Sequence, residues 1–299
     1  MFNLLAADLY RITRPRGLRG TFWQYGIALA VVYAVVFGFV WFSGSDLLAD
    51  LAGFSAEERA AAAIESAAWL RFETPTAMLA SFLGGIVPLC VGFMAVEHAF
   101  ADFKEGFARS IVSARRGRLS YFAEKIVFTG IMALALTLFA ALMVALAAIP
   151  AGATVERTDG VLPALGWFAA FILNTWAIAT AGLVVAYLFR KVPAGYIAAF
   201  LFEVGFVPGA LQLLAGLARS GLLHVLAPIA PALDEIAYRM PSHLLDILGS
   251  GAPALSGAAL GGLGEYVPGD FATQALVDPL VWIALGALVI FAASRRRDI

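Results

Sequence analysis

Cysteine is almost absent from this chain of 299 residues. Cys90 is the only one, so no disulfide can close within the polypeptide and no thiolate metal cluster can form. It lies inside a long apolar run and reads as a small packing residue. Lysine is nearly as scarce. Lys104, Lys125 and Lys191 follow Phe103, Glu124 and Arg190, so the Gly-Lys pair of a phosphate-cradling P-loop is missing and no such ATP site is expected in this chain. The three histidines, His98, His224 and His243, are isolated from one another, with no second ligand at metal spacing. Charge is also sparse, with 14% Asp, Glu, Lys and Arg against 62% hydrophobic residues, and that imbalance argues against a water-soluble globular chain.

What the chain has in place of charge is long apolar runs. Residues 24–42, 76–96, 126–149, 164–189 and 194–217 contain one charged side chain between them, Glu203, and a sixth run covers 276–293. Each has 18 residues or more, and a helix rising ~1.5 Å per residue crosses the ~30 Å hydrocarbon layer in ~20 residues. Six transmembrane helices are therefore expected. The first run is preceded by a basic segment, as in a signal peptide. It exceeds the ~7–15 residues of a signal core, and Trp41-Phe42-Ser43-Gly44 lacks the small-x-small cleavage pattern, so it is read as a span.

Basic residues orient the spans. Fifteen of the twenty Lys and Arg residues fall in the N-terminal segment, the second and fourth connections and the C-terminal tail. Lys and Arg are retained on the cytoplasmic side, so both termini are expected inside, in the plasma (inner) membrane. Residues 1–22 form a separate unit. Phe2, Leu5, Leu9 and Ile12 recur at spacings of three and four, with Asp8, Arg11 and Arg14 on the remaining surface, which predicts an amphipathic helix lying in the inner interface. The six-helix domain then occupies 23–299.

The second connection, 97–125, is the most informative stretch, EHAFADFKEGFARSIVSARRGRLSYFAEK. Before Gly106 the second helix can continue into the cytoplasm with Phe100, Phe103 and Phe107 on one face, interleaved with Asp102, Lys104, Glu105 and Arg109. Arg115-Arg116-Gly117-Arg118 then makes a turn, and Tyr121 and Lys125 open the third span. In this pattern the chain resembles the membrane subunits of type 2 ATP-binding cassette (ABC) exporters. The positions that carry the likeness are Glu97, Gly106-Phe107, Arg109, Ile111-Val112, Arg118, Tyr121 and Lys125, with Phe107 standing where that family has Thr.

The resemblance implies that this connection is a coupling helix docked on a separate ATPase, with Glu97, Phe103, Lys104, Glu105, Gly106, Phe107, Arg109 and Arg118 as coupling residues. It also implies two copies of an ABC ATP-binding subunit carrying ATP and Mg, a second permease subunit, identical or paralogous, and a hydrophobic or amphipathic substrate such as an antibiotic, peptide or lipid. The chain itself is then no enzyme and holds no cofactor or metal, and no nucleic-acid partner is expected.

Two further features concern the pathway. Glu203 lies ~13 Å into the membrane from the inner side, where a charge costs at least ~2.5 kcal/mol. Gly205 and Gly209 form a G-x-x-x-G step beside it, Pro208 is placed to kink the helix, and Gln212 is polar a turn or so later. Glu203, Gly205, Gly209 and Gln212 are assigned either to the pathway and subunit interface or to a hydrogen bond that locks two helices. Between spans five and six, residues 218–275 are too apolar for a solvated linker and too broken for another span. Partial or re-entrant outer helices are expected there.

The fold class is thus an all-α integral membrane protein with an interfacial N-terminal helix. A secondary transporter, which pairs broken helices in two related halves, is the competing class, with a non-catalytic scaffold behind it. An intramembrane enzyme is disfavoured, because Glu57-Glu58-Arg59 lies in an outer loop with no catalytic partner in a span.

Overall fold

A computed structural model describes residues 2–13, 21–104, 117–256 and 270–296. Helices dominate. Phe2–Thr13 (α1) leads to the long helix Thr21–Ser43 (α2), then Asp46–Ala52 (α3) and Ala56–Trp69 (α4). Pro75–Leu83 (α5) and Ile86–Lys104 (α6) follow, then Gly117–Ala148 (α7) and Val161–Phe189 (α8). Val192–Glu203 (α9), Phe206–Arg219 (α10), Ala230–Tyr238 (α11), Pro241–Leu248 (α12) and Phe271–Arg296 (α13) complete the chain. Four helices, α2, α7, α8 and α13, are long and apolar enough to cross a membrane by themselves, and two bent pairs, α5 with α6 and α9 with α10, raise the number to six if each pair is one crossing. The chain is a multi-pass membrane protein.

The bends revise the reading of span two as a continuous helix and of span five as a helix kinked at Pro208. α5 and α6 meet at 48°, and α9 and α10 at 62°. Gly85 (φ 73°) and Gly205 (φ 68°) adopt the left-handed conformation at these joints, which a side chain with a Cβ rarely takes. The second bend lies before Pro208 and belongs to Gly205. Pro208 sits in the first turn of α10, where its missing N–H would have had no intrahelical partner.

Local chemistry sets the short elements at the end remote from α1. Ser45 caps α3 by accepting from Leu48 N–H at 3.3 Å, and Ser55 and Glu58 form a capping box at the start of α4. Thr74 accepts from Ala77 N–H and Pro75 opens α5 with a preset φ. Arg71–Phe72 (β1) pairs in parallel with Thr154–Val155 (β2), and Asp159 accepts from Thr76 N–H at 2.9 Å. Ala252 N–H donates to Thr76 Oγ1 at 2.7 Å, and Trp167 Nε1 donates to the Leu248 carbonyl at 2.8 Å. The first, third and fifth connections therefore lie at one end of the bundle.

α8 is the central post, packed on α6, α7, α9, α12 and α13. Its Trp167, Ala170, Ile178, Leu183 and Ala186 are fully buried, and Asn174 Nδ2 bridges the carbonyls of Ala170 and Ala275. Small residues bring α6, α8 and α9 close together. A Cβ on Gly195 would lie 2.7 Å from Ala186 Cβ and 2.9 Å from the Val96 methyls, and one on Gly92 would lie 2.9 Å from Ala199 Cβ.

α1 packs against α7. Leu5 meets the core as its periodicity predicts, but Asp8, assigned to the remaining surface, is buried, and Leu9 and Tyr10 are exposed. The helix turns a carboxylate inward because the bundle supplies Lys125 and His98 to meet it.

The close seam yields a test. Gly195→Val should lower stability by about 1–3 kcal/mol through overpacking, measured as a shift in mixed-micelle denaturation, whereas Gly209→Val, on an open face, should shift it by less than about 0.5 kcal/mol.

Candidate functional site

The residues singled out above separate into a cluster at the α1 end, a cavity between the two helix breaks, and a part outside the described residues. Glu105, Gly106, Phe107 and Arg109 belong to that last part. Phe103 and Lys104 close α6, and Arg118 is the second residue of α7, so all three sit where their helices run into the undescribed loop.

Glu97, half-buried on α6, accepts hydrogen bonds from Tyr25 of α2 at 3.1 Å and Tyr196 of α9 at 2.9 Å, both through Oε1. The next residue, His98, belongs to a different set. Asp8 Oδ2 lies 2.6 Å from Lys125 Nζ of α7 and 3.0 Å from His98 Nε2, and the same Nζ is 3.6 Å from Glu124 Oε2. Lys125 and Glu124 are 2% and 1% exposed, and Asp8 and His98 are 8% exposed. Phe128 stacks on the His98 imidazole at 4.4 Å, and the Lys125 ammonium lies over the Tyr121 ring at 5.3 Å.

Burial works against ionising Asp8, but the hydrogen bond to His98 and the charges of His98 and Lys125 outweigh it and hold the carboxyl well below its ordinary range. α6 and α7 thus reach α1 together through His98 and Lys125. Lys125 and Glu97 were legible as parts of a motif. Asp8 and His98 were not, because the partners that hold them, Lys125 above all, lie 117 and 27 residues away in sequence.

The second site lies where the bends meet. Gly85, Ile86, Leu89, Glu203, Val204 and Asp246 line a cavity of about 370 Å³. Glu203 ends α9, and its Oε1 lies 3.9 Å from the position a Cβ on Gly85 would occupy across the gap. Its Oε2 is buried without a hydrogen-bond partner among the described residues. Asp246, on α12, approaches from the other side, within 3.9 Å of the position a Cβ on Gly205 would occupy.

Gly209 lies away from this cavity. A Cβ there would meet nothing within 4 Å, so the G-x-x-x-G step makes no close packing inside the chain, and Gly205 is needed for its backbone conformation instead. Gln212 is half-buried on α10.

A sequence signal for the facing breaks exists and is absent from the reading above. Gly85-Ile86-Val87-Pro88 and Gly205-Phe206-Val207-Pro208 share the pattern Gly-x-Val-Pro, glycine at the joint and proline in the first turn that follows. The other missed residue is Asp278, inside the sixth apolar run. It is 8% exposed, and its Oδ1 lies 3.4 Å from Arg239 Nη1 at the end of α11. One turn on, Trp282 Nε1 donates to the Arg239 carbonyl at 2.8 Å. Beside this anchor, Pro241, Trp282, Phe202, Ala181 and Leu285 help line an apolar cleft of about 170 Å³ between α8, α9 and α13.

No group of three metal-ligating side chains occurs among the described residues. No family model matches the chain, and no curated protein or solved structure matches it either.

The cluster at the α1 end makes a quantitative expectation. Asp8→Asn removes the carboxylate closest to a buried ammonium, and should lower stability by about 3 kcal/mol in denaturation of the purified protein. Because the folded-state carboxyl titrates below its unfolded value, this contribution is present above the ordinary carboxylate range and is lost as pH falls through the acid region. The difference between wild type and Asp8→Asn should shrink correspondingly on acidification.

Proposed function

We propose that this chain is the membrane-spanning permease subunit of an ATP-driven exporter. It works with two copies of an ABC ATP-binding subunit, which carry ATP and Mg, and with a second permease subunit, identical or paralogous. Six crossings with both termini cytoplasmic, in the plasma membrane, are part of the proposal. Gathering connections one, three and five at one end and the α1 cluster at the other supports that topology.

The observation that carries the reading is the joining of both stems of the charged loop to the rest of the inner end. α6 enters the loop and α7 leaves it. His98 and Lys125 bind α6 and α7 to α1, while Glu97 binds α6 to α2 and α9 through two tyrosines. A push delivered to the loop by an ATPase is thereby shared among five helices instead of bending one. Buried charge pairs suit this role, since moving one partner without the other costs several kcal/mol.

Along the pathway, Glu203 occupies a gap between two broken helices, and exposed Leu and Val side chains on α2, α7 and α13 meet lipid. A hydrophobic or amphipathic substrate fits such a route. It would meet apolar walls on α8, α9 and α13 and polar atoms only at the breaks.

A second reading, a secondary transporter, gains from one observation. The facing Gly-x-Val-Pro breaks with a carboxylate between them have the form of paired discontinuous helices around a midplane site.

Purification of the tagged chain from its native membrane, with mass spectrometry and an ATPase assay, separates the two. Recovery of a cassette ATPase that is lost when Glu105 and Arg109 are reversed in charge is the expected result. A chain that purifies without any ATPase, and whose uptake or efflux follows an ion gradient and fails in Glu203→Gln, would transfer the assignment to the secondary transporter.

A further inference from the structure

The segment between the break at Gly205 and the anchor at Arg239 is built differently from the rest of the molecule. Ala215 and Ala218 of α10 and Ala230 of α11 form an apolar cluster with Leu226 and Leu233, separate from the main core. Arg219 at the end of α10 pairs with Asp234 of α11, and Leu223 N–H donates to the Leu217 carbonyl, so the hairpin is closed upon itself. α12, directly after it, belongs to the main core through Leu244, Leu245, Ile247 and Leu248. Residues 206–238 therefore carry their own small core and attach to the bundle at two roots.

The first root is a joint. Gly205 has φ 68°, the chain turns by 62° there, and the following turn contains Pro208. Outer faces of α10 are open, with Phe206 60% and Leu213 63% exposed and nothing within 4 Å of a Cβ at Gly209 or Gly216. The second root is clasped. Arg239 Nη1 meets Asp278 Oδ1, and Trp282 Nε1 holds the Arg239 carbonyl, so α13 fixes the angle at which α11 leaves the bundle. The clasp is incomplete, since Asp278 Oδ2 is buried with no hydrogen-bond partner among the described residues. Under the first root lies the cavity that holds Glu203 and Asp246.

We propose that residues 206–238 form a rigid flap that pivots on Gly205 and on the Arg239 root, held in the observed position by the Asp278–Trp282 clasp, and that its swing controls access to the Glu203 cavity. The division of cores makes this motion inexpensive. Turning the flap as a unit leaves the Ala215, Ala218 and Ala230 cluster intact and disturbs the main core only at its roots, whereas moving α12 would pull Leu244, Leu245, Ile247 and Leu248 out of the main core. The proposal concerns the outer end alone and holds whichever energy source drives the inner one.

The test uses the full chain in lipid nanodiscs with Cys90→Ala, and spin labels at two pairs of exposed positions. Leu213 with Leu138 of α7 measures flap against bundle. Leu213 with Ile236 of α11 measures the flap internally. In Asp278→Asn and in Trp282→Phe, which keeps the ring and removes the N–H donor, the flap–bundle pair should gain a second population at altered distance while the internal pair stays single. An unchanged flap–bundle distribution in both variants overturns the pivot. So does equal broadening of the internal pair, which would mean that the hairpin melts instead of turning. If Asp278→Asn does not fold, Trp282→Phe alone decides.

Discussion

Water is absent from the middle of a bilayer, so every backbone N–H and C=O placed there must find a partner in the protein. Continuous helices meet this demand internally, and most of this chain uses that solution. Two places do not. At Gly84–Gly85 and Val204–Gly205 the helical ladder stops, and the breaks are set against each other around one cavity, with Glu203 of one facing Gly85 of the other. The central packing of α8, the seam of small residues between α6, α8 and α9, and the buried α12 all hold these two interruptions in register. A glycine at 195 or 92 has its meaning here: without the close approach of α9 to α6 and α8, the breaks would face lipid.

The remaining polar groups are divided between the two ends. At the α1 end, charge is concentrated in a buried set, Asp8, His98, Glu124 and Lys125, with Glu97 and two tyrosines beside it. At the other end the ties are hydrogen bonds to Thr76, Asp159, Leu248 and Arg239, with ion pairs that are exposed, among them Arg71–Glu156 and Arg157–Glu73, or half-exposed, as Arg239–Asp278 is. Buried ion pairs are costly to separate, and neutral hydrogen bonds in a protein are individually worth about 1 kcal/mol. The α1 end, with its charges buried, is thus the costlier one to pull apart.

How far the sequence could be read follows from the range of each interaction. Apolar runs are local, so α2, α7, α8 and α13 were legible from length and hydropathy, and so was the broken, partly buried character of the outer segment. Span two was read as continuous, and the bend of span five was assigned to Pro208, because glycines in an apolar run are common. Only the recurrence of Gly-x-Val-Pro at 85–88 and 205–208 marks them as related. Asp8 was placed on the polar side of an interfacial helix by its neighbours on the helix, a sound local rule overridden by a lysine and a histidine from distant segments. Asp278 was passed over within the sixth apolar run, and its role rests on Arg239, thirty-nine residues earlier.

The sequence by itself determined that the chain lives in a membrane, which segments are long enough to cross it, and where basic residues gather, because hydrophobic burial and charge exclusion act on each segment independently of its neighbours. Tertiary structure alone decided that two spans break and that the breaks face each other. It alone decided that α1 is fastened by a buried carboxylate, and that the outer hairpin keeps a core of its own. Each of these depends on pairs of groups far apart in the chain, and a polar atom removed from water takes its partner from whatever the fold brings within about 3 Å.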